Sequence, residues 1–235
     1  MDVRLNKYLA DRKLASRREA DVLIAEGKVL VNGKKAVIGQ KVGDDDLVRL
    51  SPSATRAKNY LAYYKGAGTI THSPDKEKGE VDIVTKIKKD YGLENIFPIG
   101  RLDKASEGLI ILSDDGLVTG ALLEPGNENE KEYEVTVDKP VTAGFLKKLA
   151  RGVRIEGYLT KPALTAKKSE KTFRIVLTEG KKHQIRRMCA ALGWQVQNLK
   201  RVRIVNIELG RLKPNQYRKI AGKELQIFLK EMGLG

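Results

Sequence analysis

Phe97-Pro98-Ile99-Gly100-Arg101-Leu102-Asp103-Lys104-Ala105-Ser106-Glu107-Gly108-Leu109-Ile110-Ile111-Leu112-Ser113-Asp114-Asp115-Gly116 places a glycine-punctuated polar loop between two apolar runs. Such punctuation marks the polar stretch as a loop, because glycine enters backbone conformations that side chains forbid. Arg101 and Asp103 sit two apart, so in extended backbone they point to the same side. Taken alone, an Arg/Asp pair of this kind is most often a structural ion pair. Asp114-Asp115 before Gly116 reads as a turn or a helix cap rather than as two carboxylates set for acid/base work.

Outward from this stretch, the chain beyond Asn59 alternates strand-like runs with helical ones. The strand-like runs are Tyr60–Tyr64, Leu109–Leu112, Tyr133–Val137, Phe173–Leu177 and Arg203–Leu209. Helical spacing covers about Val81–Lys89, Thr142–Ala150, Gln184–Leu192 and Gly222–Glu231. The mixture predicts an α+β domain over residues 59–235, without fixed-period repeats or low-complexity tracts.

The first fifty residues read as a separate helix-helix-hairpin module. A short helix starts at Leu5–Ala10, and Ser16-Arg17-Arg18-Glu19 has the form of a capping box opening a second helix that stops at Gly27. Lys28–Val31, the Asn32-Gly33 turn pair and Lys35–Val37 then predict a hairpin, with Leu47–Leu50 as a later strand. Residues 51–58, Ser-Pro-Ser-Ala-Thr-Arg-Ala-Lys, lack apolar periodicity and are the expected linker, a mobile tether.

The 235 residues carry 45 Lys plus Arg against 30 Asp plus Glu, a formal charge of +15 that favours a polyanionic partner. One cysteine, Cys189, excludes an internal disulfide framework, and two distant histidines, His72 and His183, are a poor basis for a zinc enzyme. No metal is expected. No apolar run suits a signal peptide or a membrane span, so a cytoplasmic protein is expected.

The charge is unevenly spread. Residues 171–219 hold thirteen Lys plus Arg against only Glu179 and Glu208. Within them Ile185, Met188, Cys189 and Leu192 follow the spacing of one buried helix face, which makes Cys189 a core residue. Arg186 and Arg187 fall outside that stripe, near a helix N-terminus that attracts anions, and form a candidate phosphate or carboxylate binder.

These residues carry a resemblance. Gly-Arg-Leu-Asp-x-x-Ser-Glu-Gly-Leu from Gly100, Lys131-Glu132-Tyr133-Glu134-Val135, and Glu179-Gly180-Lys181-Lys182-His183-Gln184-Ile185-Arg186-Arg187-Met188 are similar to three ordered motifs of the ribosomal RNA pseudouridine synthases. Arg4-Leu5-Asn6-Lys7 and Ser16-Arg17-Arg18-Glu19-Ala20 resemble the RNA-binding domain first described in small-subunit ribosomal protein S-four. The chain looks most like the F-type branch, whose members modify 23S rRNA and in some cases a tyrosine tRNA anticodon loop. Tyr64-Lys65-Gly66 departs from the family's usual Lys-Pro, which puts that strand end in question.

The resemblance implies a catalytic domain with a mixed, mostly antiparallel sheet flanked by helices, and a cleft running across it. It makes Asp103 the catalytic carboxylate, attacking the ribose carbon that bears the base or removing a proton from the neighbouring carbon. It implies that Arg186 pairs with that carboxylate, Arg101 helps hold substrate or loop, Tyr133 stacks on the flipped uracil and helps deprotonate the rejoined carbon, and Ile185 walls the pocket. Arg4, Lys7, Arg17, Arg18 and Arg187 are the expected RNA contacts. His183 is expected as an RNA contact or a cap, and Trp194 as packing at a helix end. Isomerisation needs no cofactor, no nucleotide and no metal; the implied partners are 23S rRNA and a tRNA, with a monomer as the default. The rival expectation is an RNA-binding ribosome assembly factor that has kept the fold and lost catalysis.

Overall fold

The computed structural model describes residues 2–54, 56–72, 74 and 80–235, so Thr55 of the expected linker lies outside the described residues. The N-terminal module runs β1 (Val3–Arg4), α1 (Leu5–Asp11), α2 (Arg17–Ala25), β2 (Val29–Val31), β3 (Lys34–Lys35), β4 (Lys41–Val42) and β5 (Val48–Leu50). The Asn32-Gly33 turn forms as expected, with φ of 51° and 79°, the two left-handed positions that a type I′ hairpin requires. Leu5, Leu9, Ala20, Leu23, Ile24, Val29 and Val31 fill its small core.

Half of the capping box is present. Ser16 Oγ accepts from the Glu19 amide at 3.4 Å, but the Glu19 carboxylate turns away to pair with Lys58. That ion pair changes the character of the linker, since Pro52–Ala54 form a 3-10 turn and the Asn59 amide donates to Asp114 at 2.7 Å. Gly116 lies against the Ser16 side chain so closely that a Cβ there would overlap it. The linker is therefore held to both modules rather than free, because side-chain partners 39 and 55 residues away in sequence satisfy it.

The second domain comprises β6 (Tyr60–Lys65), α3 (Ile83–Tyr91), β7 (Phe97–Ile99), β8 (Glu107–Ser113), α4 (Gly116–Leu123), β9 (Lys131–Val137) and α5 (Ala143–Ala150). It continues through β10 (Arg154–Ile155), β11 (Tyr158–Leu159), β12 (Leu164–Lys167), β13 (Thr172–Leu177), α6 (Gln184–Ala191), β14 (Val196–Ile204), β15 (Ile207–Glu208), β16 (Tyr217–Lys219) and α7 (Gly222–Glu231). The main sheet is ordered β12-β13-β9-β14-β8-β6-β16, with β7 on β8 and β15 on β14. Only β8 and β14 pair in parallel, so the sheet is mixed and mostly antiparallel, as expected.

Strand β6 is buried along its whole length because helices cover both of its faces. Tyr60, Ala62 and Tyr64 pack with residues of α4 and α7, whereas Leu61 and Tyr63 pack with Ile83 and Ile87 of α3. The Phe145–Trp194 stack, with centroids 4.3 Å apart, gives Trp194 the packing role expected of it. Cys189 is fully buried in the same cluster.

Two elements differ from expectation. Gly116–Leu123 is a helix, capped by Asp115, whose carboxylate accepts from the Leu117 amide at 2.9 Å; it is apolar almost all round, which erases helical periodicity. The expected strand over Arg203–Leu209 is instead the end of β14, a turn through Val205 at φ 54°, and β15.

Buried ionisable groups set a prediction for stability against pH. Burial lowers the Lys65 and Lys131 ammonium groups to about 8 from 10.5. Between those values the unfolded chain binds more protons than the folded one, so rising pH stabilises the fold. Burial raises Tyr60, Tyr63 and Tyr64 well above the usual 10, so above that pH the folded chain holds protons that the unfolded one has lost, and stability falls. Urea midpoints measured at about pH 8, 9.5 and 11 are expected to rise and then drop. A monotonic fall from the first to the last would contradict this burial.

Candidate active site

One transverse row of the sheet organises the site. Lys65 on β6 pairs with Gly108 on β8, Gly108 with Arg201 on β14, Arg201 with Tyr133 on β9, and Tyr133 with Ile175 on β13. Gly108 is needed in that row. Its φ is 110°, and a Cβ there would overlap the Arg201 backbone, so a side chain would push β8 and β14 apart.

Asp103 lies on the loop from β7 to β8, which enters this row at Gly108. Three anchors fix the loop. Thr71 Oγ1 donates to the Leu102 carbonyl at 2.8 Å and accepts from the Leu102 amide at 3.2 Å. The Gly68 amide donates to the Lys104 carbonyl at 2.8 Å. Beneath the loop the fully buried Lys65 Nζ donates to the carbonyls of Ser106 at 2.6 Å, Gly66 at 3.2 Å and Lys104 at 3.4 Å. At this strand end, which lacks the family's proline, the lysine satisfies the neighbouring carbonyls.

A cleft of about 310 Å³ opens over the row. Asp103, Arg101, Tyr133 and Ile185 all line it, joined by His183, Lys131 and Arg201. Ile185 is both wall and core, since it is buried in the α6 stripe with Met188 and Cys189. A second, larger cleft of about 1230 Å³ lies between the modules, lined by Arg17, Arg18, Lys28, Arg56 and His72, and meets the first at Gly100 and Arg101.

Arg186 is placed differently from expectation. Its guanidinium donates to the Ala105 carbonyl at 3.2 Å and the Val196 carbonyl at 3.1 Å, and does not pair with Asp103. It braces the loop that carries Asp103 against β14. The basic side chain that does approach the Asp103 carboxylate is His183, with Nε2 3.6 Å from Oδ1. His183 occupies the N-cap of α6 but makes no capping bond with its ring.

Arg187 is also turned inward, to Glu156 and to the Lys182 carbonyl at 3.0 Å. Most other arginines of the basic segment also have fixed partners, although Arg211 is exposed. Arg174 and Arg203 pair with Glu132, Arg218 with Glu224, and Arg201 is buried with Nε on the Leu109 carbonyl at 2.7 Å. Lys171, Lys181, Lys182, Lys213 and Lys219 are exposed. The arginine fork suits fixed carboxylates and carbonyls, whereas the lysine ammonium stays hydrated at the end of a flexible stem. Arg4, Lys7, Arg17 and Arg18 are exposed and have no acidic partner among the described residues.

The part that Lys65 plays beneath the loop, and Arg201 altogether, escaped sequence reading. Lys65 stood out only as a charged residue closing an apolar strand run where the family's Lys-Pro pattern is broken; Arg201 was hidden in a segment whose other charges looked solvated. No helix among the described residues is long and apolar enough to cross a membrane.

Comparison with known proteins agrees with this architecture. Residues 59–191 match the RNA pseudouridylate synthase family, and residues 3–48 match the S4 domain. The chain is 40% identical over 229 residues to the dual-specificity RNA pseudouridine synthase RluF of Escherichia coli K12, covering 95% of this chain and 77% of that one. It is 35% identical over 232 residues to the ribosomal large subunit pseudouridine synthase B of Bacillus subtilis 168, covering 95% and 94%. A crystal structure of a pseudouridylate synthase superposes with a TM-score of 0.70 at 27% identity, covering 96% of this chain and 99% of that one. With an S4 domain joined to a catalytic sheet that carries the family's motifs in order, this chain belongs to the RNA pseudouridine synthases and isomerises uridine in RNA.

Proposed function

We propose that the chain converts a specific uridine of 23S rRNA, and of a tRNA anticodon loop, to pseudouridine, with Asp103 as the reacting carboxylate. The observation that carries this reading is the convergence of Asp103, Tyr133, Ile185 and Arg101 on one small cleft. At about 310 Å³ it stands at the low end of ligand clefts, which run to roughly 300–1,000 Å³, so it accommodates one extruded nucleoside and not a base pair. The uridine therefore has to leave its stack, at a cost of about a few kcal/mol.

Contacts to phosphates offset that cost. Lys181 and Lys182 at the rim supply them near the base, and the larger cleft leads past Arg101 to Arg17 and Arg18 of the S4 domain. Arg4 and Lys7 extend the basic surface. Tyr133 stacks on the uracil and Ile185 closes its apolar side. Arg186 acts through the loop: by holding Ala105 it fixes the backbone two residues beyond the carboxylate. The cytoplasm, where ribosomes are assembled, is the proposed location, and the monomer the proposed state.

The test is tritium release from ring-labelled uridine in 23S rRNA that lacks this modification, in parallel with large-subunit particles and tRNA. Release from rRNA or particles, mapped to one position, is the expected result. Release from tRNA alone would displace rRNA as the principal substrate. Binding to all three without release would favour the assembly factor.

A further inference from the structure

One proton of the reaction needs an acceptor, a task in which the family resemblance gives Tyr133 only a helping part. When the uracil rejoins ribose through its fifth ring carbon, that carbon briefly carries both the new bond and its original hydrogen. In either use of Asp103, the carboxylate addresses the ribose carbon that forms this bond or the one beside it. The departing proton therefore lies within a few ångströms of the Asp103 carboxylate, and its acceptor must be there too.

Few groups qualify. Among the described residues His183 is the only basic side chain within 4 Å of that carboxylate, with Nε2 3.6 Å from Oδ1. Arg101 and Arg186 cannot accept a proton, because a guanidinium has no free lone pair. Lys65 lies below the loop with its ammonium on three carbonyls. A phenol such as Tyr133 must shed its own proton before taking another, whereas neutral imidazole offers a lone pair at once.

The placement of His183 is built by its neighbours. Its φ of 53° is left-handed, a region in which His and Asn are enriched. The turn is closed by Gln184, whose side-chain oxygen accepts from the Lys181 amide at 2.9 Å and whose side-chain nitrogen donates to Glu179 at 2.6 Å. The His183 carbonyl takes the Arg187 amide at 3.0 Å, which locks the residue to the first turn of α6. The ring does not serve as a cap, and its side chain is 48% exposed, open to water on one side and to the cleft on the other.

We infer that His183 is the base that removes the proton from the fifth ring carbon in the last step, an inference that rests on the function proposed above. The C5–H bond breaks and the proton passes to Nε2. Its electron pair forms the C5–C6 double bond, and the displaced N1–C6 π pair moves onto N1, which takes a proton from water. The imidazolium so formed faces the Asp103 carboxylate, freed when the carbon–carbon bond closed, and then gives its proton to solvent. The sum is an isomerisation with exchange of one proton.

The test compares wild type, His183→Asn and Tyr133→Phe on RNA carrying uridine, 5-deuterated uridine or 5-fluorouridine at the target. Asparagine tolerates the left-handed backbone, and 5-fluorouridine has no hydrogen on the fifth ring carbon to remove, so its rearrangement reports an intact site. In His183→Asn the uridine rate is expected to fall about a hundredfold, the typical worth of a positioned base, with a primary deuterium isotope effect that wild type lacks. Rearrangement of 5-fluorouridine is expected to stay at the wild-type rate. Unchanged turnover of uridine, an equal fall on uridine and 5-fluorouridine, or the isotope effect appearing in Tyr133→Phe instead would each overturn the assignment. A wild type inert on every substrate would overturn the underlying function, and this inference with it.

Discussion

Replacing Asp103 with asparagine is expected to lower tritium release by at least about 10⁴-fold, on the scale seen when an enzyme loses its reacting group, while RNA affinity holds. Asparagine keeps the shape of the side chain and removes its charge. The Asp103 side chain is 39% exposed and its ion-pair contact with His183 is at the cleft surface, so the change is expected to leave stability within about 0.5 kcal/mol, as for other surface substitutions. Affinity is expected to be equal or slightly higher, because one negative charge facing phosphates has gone. Release at more than a tenth of the wild-type rate would move the chemistry off Asp103. Loss of release together with loss of RNA binding would point to a damaged fold and calls for Asp103→Glu, which restores charge at a displaced position and is expected to recover binding with little turnover.

The parts of this molecule that sequence made legible are those governed by local rules. Asn32-Gly33 is a hairpin turn because two adjacent left-handed residues are needed, and few pairs supply them. The α6 stripe of Ile185, Met188 and Cys189 is legible because helical spacing and burial coincide. Asp103, Tyr133 and Ile185 could be nominated together only through the family's motifs, since they lie on a loop, a strand and a helix far apart in sequence. Arg186 and Arg187 could not be read correctly from spacing. Their partners, Ala105, Val196 and Glu156, become neighbours only when α6 docks against the sheet. Both arginines look like ligand contacts on a helical wheel, because a wheel shows which side chains leave the stripe and not which carbonyls await them. The linker failed for the same reason: its composition is that of a tether, and the Lys58–Glu19 pair that ties it down spans two modules.

Lys65 is where stability and activity are expected to separate. Its ammonium is fully buried, and burial is the main reason that it is pulled down to about 8, against the attraction of Asp103, which acts in the opposite direction. Charge burial therefore costs stability here, while three carbonyl contacts return part of it. Lys65→Met keeps the stem and removes both effects. Exchanging a buried charge for an apolar group of similar volume is often neutral; the Lys104 and Gly66 carbonyls keep the Gly68 and Thr69 amides, so the Ser106 carbonyl is the one left without its donor, and a net loss of roughly 1–3 kcal/mol is expected. Activity has no such compensation. The Lys104 and Ser106 carbonyls bracket the loop that aims Asp103, and a displacement of about 1 Å at a reacting group can cost 10²-fold, so kcat is expected to fall by about that factor with KM little changed. Urea denaturation and single-turnover release on the same preparation measure the two quantities. A variant as fast as wild type would show that Thr71 and Gly68 suffice to hold the loop. A fall in activity matched by wholesale unfolding would show instead that Lys65 supports the sheet, and the aiming role would be lost. Lys65→Arg discriminates further: it retains the charge but not the fit of a single ammonium among three carbonyls, and is expected to recover little of the lost turnover.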